Sequence, residues 1–208
     1  MARYTGPVCK ICRSLGMKLF FKGNRCYTDK CGFERRPFIA GPKGARRRKV
    51  SDYGLQLKEK QKVRKSYGVM EKQFRIYFKR AERMKGATGE NLLKLLEMRL
   101  DNVVYQLGFA SSRRQARQLV THGHFMVNGK KRNIPSSLLS EGDVIELREK
   151  SRSNQLILDN LSAAEHRTIP SWLELDAENF KGRVLRLPER EDITLPIEEQ
   201  LIVELYSK

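Results

Sequence analysis

The stretch Ser111–Lys130, SSRRQARQLVTHGHFMVNGK, decides how this chain is read. It predicts a short helix, a glycine stop, a strand and a tight turn. Ser112 is suited to N-cap the helix, and Gln115, three residues on, completes a capping box. At 100° per residue, Ala116, Leu119 and Val120 share one side and form the expected buried face. Arg114, Arg117, Gln118 and Thr121 fall opposite, with Arg113 on the flank. Gly123 supplies the left-handed residue on which helices often end. His124–Val127 then reads as a strand, and Asn128-Gly129 is a strong hairpin turn. The unit leaves arginines, His122, His124, Asn128 and the run Lys130-Lys131-Arg132 available to solvent or a partner.

Just upstream, residues 90–107 (ENLLKLLEMRLDNVVYQL) predict one long helix. Leu92, Leu96, Leu100, Val103 and Leu107 lie on its apolar stripe, and Gly108 ends it. Arg99 sits at the edge of that stripe and is expected to line the same surface as the second helix. Downstream, residues 134–150 give a loop, a turn at Glu141-Gly142-Asp143 and a strand, VIELR. The whole reads as two helices followed by strands.

The front of the chain differs. Residues 1–41 are loop-rich and contain all four cysteines: Cys9-x2-Cys12, then Cys26-x4-Cys31. Two close pairs around a short loop can place four thiolates tetrahedrally about one ion, and such binding would fold a segment too small for its own core. Zinc is the default. An iron–sulfur cluster also takes four cysteines, and four buried, idle thiols satisfy the same spacing. A catalytic metal is disfavoured, because four protein ligands leave no open position. Next come Arg46, Arg47, Arg48 and Lys49, four consecutive cations beside a Gly-Pro break, read as a phosphate-contacting linker. Residues 51–86 carry two helical segments separated by Gly68. In the second, Phe74, Tyr77, Phe78 and Ala81 form a core stripe opposite Lys72, Arg75, Lys79, Arg80 and Arg83. Residues 151–208 alternate short apolar runs such as LILDNLSAAE and VLRLP with prolines, and Ile169-Pro-Ser-Trp172-Leu and Asn179-Phe-Lys-Gly182 are read as connections that pack on the core. The segment ends in a helix that begins near Pro196.

The formal charge of +18 over 208 residues points to a polyanionic partner. It is unevenly spread: residues 1–50 carry +12, 51–90 carry +6, 91–150 carry +4 and 151–208 carry −4. No apolar run approaches the ~20 residues a membrane span needs, and MARYTGPVCK lacks a secretory apolar region. A cytosolic chain is expected, with cysteines acting as ligands rather than disulfides.

The run RLDNVVYQLGFASSRRQARQLVTHGHFMVNG resembles the RNA-binding core of the S-four family of bacterial small-subunit ribosomal proteins. SDYGLQLKEKQKVRKSYGVMEKQFRIYFKRA is similar to that family's helical domain, and the front cysteines resemble its metal-binding form. The likeness runs in order through the IVELYSK end. It implies an α+β fold: a helical domain with an inserted helix-helix-β RNA-binding module, plus an N-terminal four-cysteine extension. The implied boundaries are 1–45 for the extension, 46–90 with 170–208 for the discontinuous helical domain, and 91–169 for the module. The resemblance also implies binding to a multi-helix junction in the 5′ domain of 16S ribosomal RNA, early in subunit assembly. It further implies contact with ribosomal protein S-five, a place near where messenger RNA enters, and an influence on decoding accuracy. Carried onto matching positions, Ser112-Arg113-x-x-Ala116-Arg117 supplies helix-borne cations to phosphate, and Gln118, His122, His124 and Asn128 line the same surface. Arg114 is an extra cation where the family motif is variable.

RNA junctions are recognised through shape, phosphate and 2′-OH groups more than base edges, and arginine forks suit phosphate. Arg113 and Arg117 are therefore expected to serve binding and to be dispensable for stability. Two other functions are disfavoured. An RNA-modifying enzyme would need a larger catalytic domain, and the three histidines offer no nucleophile–base arrangement. A zinc-containing DNA regulator would pair a recognition helix with its cysteines, and no such pairing is evident.

Overall fold

The computed structural model describes residues 3–39, 51–164 and 168–207. The linker cations Arg46, Arg47, Arg48 and Lys49 lie outside the described residues. The helices, in chain order, are α1 (Val8–Leu15), α2 (Asp52–Ser66), α3 (Glu71–Glu82), α4 (Thr88–Glu97), α5 (Leu100–Gln106), α6 (Arg113–Thr121), α7 (Gln155–Ala164) and α8 (Glu199–Tyr206). The strands are β1 (Phe125–Val127), β2 (Lys130–Lys131), β3 (Val144–Leu147), β4 (Leu173–Asp176) and β5 (Lys181–Val184). They divide between two compact units, one drawn from Met1–Asn91 with Leu195–Lys208, the other from Leu92–Thr194.

In the first unit, Ser51 caps α2 by accepting from the Gly54 amide at 3.3 Å, and Gly68, at φ +64°, lets the chain turn toward α3. The expected stripe of α3 is buried: Phe74, Tyr77, Phe78 and Ala81. Tyr206 of α8 packs its ring on Phe78, with centroids 4.6 Å apart. Its hydroxyl donates to Glu71 at 3.0 Å, and Lys60 of α2 donates to the same carboxylate at 2.8 Å. Burial raises the Glu71 carboxyl, but the Lys60 and Tyr206 hydrogen bonds and the nearby Arg64 charge outweigh it and hold the pKa below the ordinary value. Tyr206 moves the other way, pushed up by burial and by the Glu71 carboxylate. These polar contacts join α2, α3 and α8 around an aromatic centre.

The second unit holds a five-stranded antiparallel sheet in the order β2-β1-β3-β5-β4. Leu100, Val103, Val104, Leu107, Phe109, Ala116, Val120, Phe125, Ile145, Leu147, Ile157, Trp172 and Val184 form its buried core. The chain is α+β, as expected. Three features depart from the sequence reading. The expected helix over 90–107 is broken: Arg99 is extended (φ −70°, ψ 137°) between α4 and α5 and forms a β-bridge with Leu138. The Leu100 and Asp101 amides donate to Ser137 and Pro135 carbonyls, and Leu139 donates to Met98. The loop at 135–139 thus satisfies amides that open the second helix. Second, α7 forms from the apolar run LILDNLSAAE, and β4 and β5 begin where the two connections were expected. Third, β5 pairs with β3, Ile145 opposite Gly182, so residues 170–194 belong to this unit rather than to the helical one. Gly182 sits where a Cβ would come 2.3 Å from Leu107 Cδ1. Only glycine admits so close an approach of strand to helix.

Candidate nucleic-acid interface

The stretch at 111–130 folds largely as its pattern dictates. Ser112 Oγ accepts from the Gln115 amide at 3.3 Å and caps α6. The reciprocal half of the capping box is displaced by one residue, since Gln115 Oε1 accepts from the amide and hydroxyl of Ser111 at 2.6 and 2.7 Å. Ala116, Leu119 and Val120 are buried. Arg114, Gln118, Thr121 and His122 are exposed, at i, i+4, i+7 and i+8 along one face. Gly123 (φ +77°) ends the helix, and Asn128 and Gly129 both have positive φ, 50° and 73°, as the hairpin turn requires. Exposed Lys130 and Lys131 follow in β2. This face is therefore a row of polar and cationic side chains on a rigid helix, continued by a basic hairpin.

Three arginines are placed differently from expectation. Arg99 is 2% exposed. Its Nε and Nη2 grip Asp101 at 3.0 and 2.6 Å, so it braces the start of α5 instead of lining the surface. Arg117 reaches the same carboxylate through Nη1 at 3.3 Å. Arg113 donates from Nε to Asn102 Oδ1 at 2.7 Å, and its guanidinium lies 4.8 Å from the centroid of the Tyr105 ring. Arg113 and Arg117, one turn apart on α6, are thus each held by one of two consecutive residues of α5. Sequence reasoning missed Asp101 and Asn102. The available signal was two polar residues set among the apolar positions of RLDNVV, where burial demands a partner.

Asn128 is likewise occupied by the fold. Its Oδ1 accepts from the Val144 amide at 2.9 Å and its Nδ2 donates to Asp143 at 2.7 Å. The amide ties the β1–β2 turn to the start of β3. His124 is half-buried with Nδ1 2.9 Å from Ser151 Oγ, and His122 stands beside it with ring centroids 6.2 Å apart. Burial, then the charges of His122 and Arg148, lower the His124 pKa and favour the neutral ring.

The cysteines gather in the other unit. Cys9 and Cys12 share one side of α1, a helix the loop-rich composition concealed. Cys26 closes a 3₁₀ turn (Gly23–Tyr27) and Cys31 follows. All four are free thiols and line one cavity with Val8, Lys18 and Leu19. A Cβ on Gly32 would come 3.2 Å from Cys9 Sγ, so that glycine lets backbone pass close to the sulfur. Burial raises the thiol pKa of Cys12 and Cys26, opposed by hydrogen bonds from the backbone at Leu19 and Lys22 respectively. Among the described residues, no group of three or more His, Cys, Asp or Glu side chains stands as a preformed metal-ligand set. In donor chemistry, four sulfurs beside one cavity with amide donors suit a thiophilic ion.

Residues 3–97 match the family described as ribosomal protein S4/S9 N-terminal domain, and residues 98–145 match the S4 domain. The chain is 61% identical over 208 residues to the "Small ribosomal subunit protein uS4" of Thermodesulfovibrio yellowstonii. It is 64% identical to the protein of that name from Geobacter sulfurreducens and 63% identical to that of Citrifermentans bemidjiense. Each alignment covers 100% of both chains. Among the described residues no helix is long and apolar enough to cross a membrane. With both segments matched and full-length relatives at 61–64% identity, the chain belongs to the S4 family of ribosomal proteins.

Proposed function

We propose that this chain is a structural component of the small ribosomal subunit in the cytoplasm. In this reading it binds small-subunit ribosomal RNA directly and is not an enzyme. The observation that carries this is the α6 face, where Arg114, Gln118, Thr121 and His122 are exposed on one side and the adjoining Lys130 and Lys131 extend the same polar stretch. Family membership supplies the partner class, and the net charge of +18 agrees with a phosphate backbone. The RNA target is a 5′-domain helical junction of 16S RNA, and binding there nucleates subunit assembly. Contacts with ribosomal protein S-five and with messenger RNA where it enters, and a contribution to decoding accuracy, belong to the same proposal. No small-molecule substrate and no membrane enter it. The test compares affinity for the ribosomal RNA junction with affinity for random duplex DNA of equal length. At least about a thousandfold preference for the junction, the low end of specific over non-specific binding, supports the proposal. Equal affinity overturns it.

We also propose that Cys9, Cys12, Cys26 and Cys31 hold one zinc ion as thiolates, with an iron–sulfur cluster as the alternative. The support is the shared cavity of the four thiols. The ion would supply a cross-link for a segment with few buried apolar side chains. Elemental analysis of the purified protein and its visible absorption separate the two. One zinc per chain without visible bands supports zinc. Iron with charge-transfer bands assigns the cluster.

A further inference from the structure

Arg113 is the end of a directed chain of side chains. Glu97, 3% exposed, accepts from Asn102 Nδ2 at its side-chain Oε2 (2.5 Å) and at its backbone carbonyl (2.9 Å). Asn102 is 1% exposed. An amide has one donating and one accepting end. With both Glu97 oxygens demanding a donor, the amide of Asn102 has one orientation, and its Oδ1 must face the opposite way. It meets Arg113 Nε at 2.7 Å. The guanidinium is then fixed at a second point by the Tyr105 face, 4.8 Å away. A hydrogen bond and a cation–π contact together restrain a delocalised, planar cation.

We propose that Asn102, oriented by Glu97, is a positioning residue for RNA binding: it holds the Arg113 fork in a preset position so that phosphate meets an already ordered guanidinium. This rests on the reading of the α6 side of the unit as the RNA face. A free arginine loses rotamer entropy when it clamps phosphate, whereas a racked one has already lost it on folding. Asn102 touches no RNA itself, since it is buried.

The test uses the full-length chain and an RNA fragment carrying the 5′ domain of small-subunit ribosomal RNA, in a double-mutant cycle well below the melting temperature. Arg113→Ala is expected to weaken binding roughly 5- to 150-fold, the range for loss of one good arginine contact. Asn102→Ala is expected to lose a similar factor, and the combination no more than either alone. A merely structural role for Asn102 would weaken binding equally in the Arg113→Ala background, and such additivity overturns the proposal. Wild-type affinity in Arg113→Ala shows instead that Arg113 is off the RNA face, and the proposal falls with that reading. Should Asn102→Ala fail to fold, Arg113→Lys decides. It keeps the charge but lacks the fork and Nε, so it is expected to bind almost as weakly as Arg113→Ala. Wild-type affinity in Arg113→Lys shows that charge alone matters and overturns the proposal.

Discussion

Arg117 on α6 donates from Nη1 to Asp101 Oδ2 at 3.3 Å, joining the second helix of the module to the first residues of α5. Asp101 is buried and also holds Arg99, so one carboxylate organises two guanidinium groups. The sequence reading placed Arg117 opposite the apolar face and made it dispensable for folding. The structure revises this. Arg113→Ala combined with Arg117→Ala is expected to lower stability as well as RNA affinity. Removing one partner of a buried polar group costs about 1–3 kcal/mol, and here Arg99 remains as a partner. Calorimetry should show a melting temperature lowered by roughly 5–15 °C for a unit of this size. An unchanged melting temperature would mean these contacts contribute nothing to the fold.

Arg99 yields a sharper expectation. With Nε and Nη2 both on Asp101 and its side chain inside the unit, Arg99→Ala leaves a buried carboxylate with weaker pairing. The cost is about 3–5 kcal/mol by analogy with broken buried pairs. Chemical denaturation should detect it as a lower midpoint at unchanged slope. A variant of wild-type stability but weaker RNA binding would return Arg99 to the surface role first expected of it.

Gly182→Ala tests the packing of β5 on α5. The new methyl group would lie 2.3 Å from Leu107 Cδ1, and Leu107 is fully enclosed. Overpacking of this kind costs about 1–3 kcal/mol. In a Leu107→Ala background, where the contested space is already vacated, Gly182→Ala should cost less than it does in the wild-type chain. If Gly182→Ala is neutral alone, strand and helix are not in such close register.

His124 gives the chain a pH dependence of defined sign. Its folded pKa lies below the ordinary value near 6.5, so the neutral ring is favoured in the fold. The unfolded state binds the proton more readily. The stabilisation is complete above the unfolded pKa and is lost as pH falls through the lower, folded value. Stability should therefore decline on acidification from about pH 6.5. His124→Asn, which keeps a polar atom toward Ser151, should flatten that part of the profile. An identical profile in wild type and variant would assign the acid sensitivity to other groups.

How much was legible follows from which interactions are local. The α6 helix, its Ser112 cap, the Gly123 stop and the Asn128-Gly129 turn each depend on residues within a few positions. Those elements were read correctly, apart from the capping box shifted to Ser111. The α3 stripe of Phe74, Tyr77, Phe78 and Ala81 was read for the same reason. The break at Arg99 was not, because the amides of Leu100 and Asp101 are satisfied by a loop more than 30 residues away. Strands β4 and β5 escaped notice because their lengths of four residues carry little periodicity, and only pairing, β5 with β3 and β4 with β5, defines them. Helix α1 was hidden by flanking glycines and by cysteines read as ligands in a loop-rich segment. At the candidate site, charge identified the arginines but not what holds them. Asp101 and Asn102 became visible only when their distance to α6 was known.

The central claim is that this chain binds small-subunit ribosomal RNA through cations presented by a rigid scaffold. The most direct test is the dissociation constant for a 5′-domain RNA fragment, measured over a range of monovalent salt concentrations. Phosphate-dominated binding predicts a steep linear fall of log affinity with log salt, corresponding to at least about three ion contacts. A shallow slope that indicates fewer contacts would contradict the account.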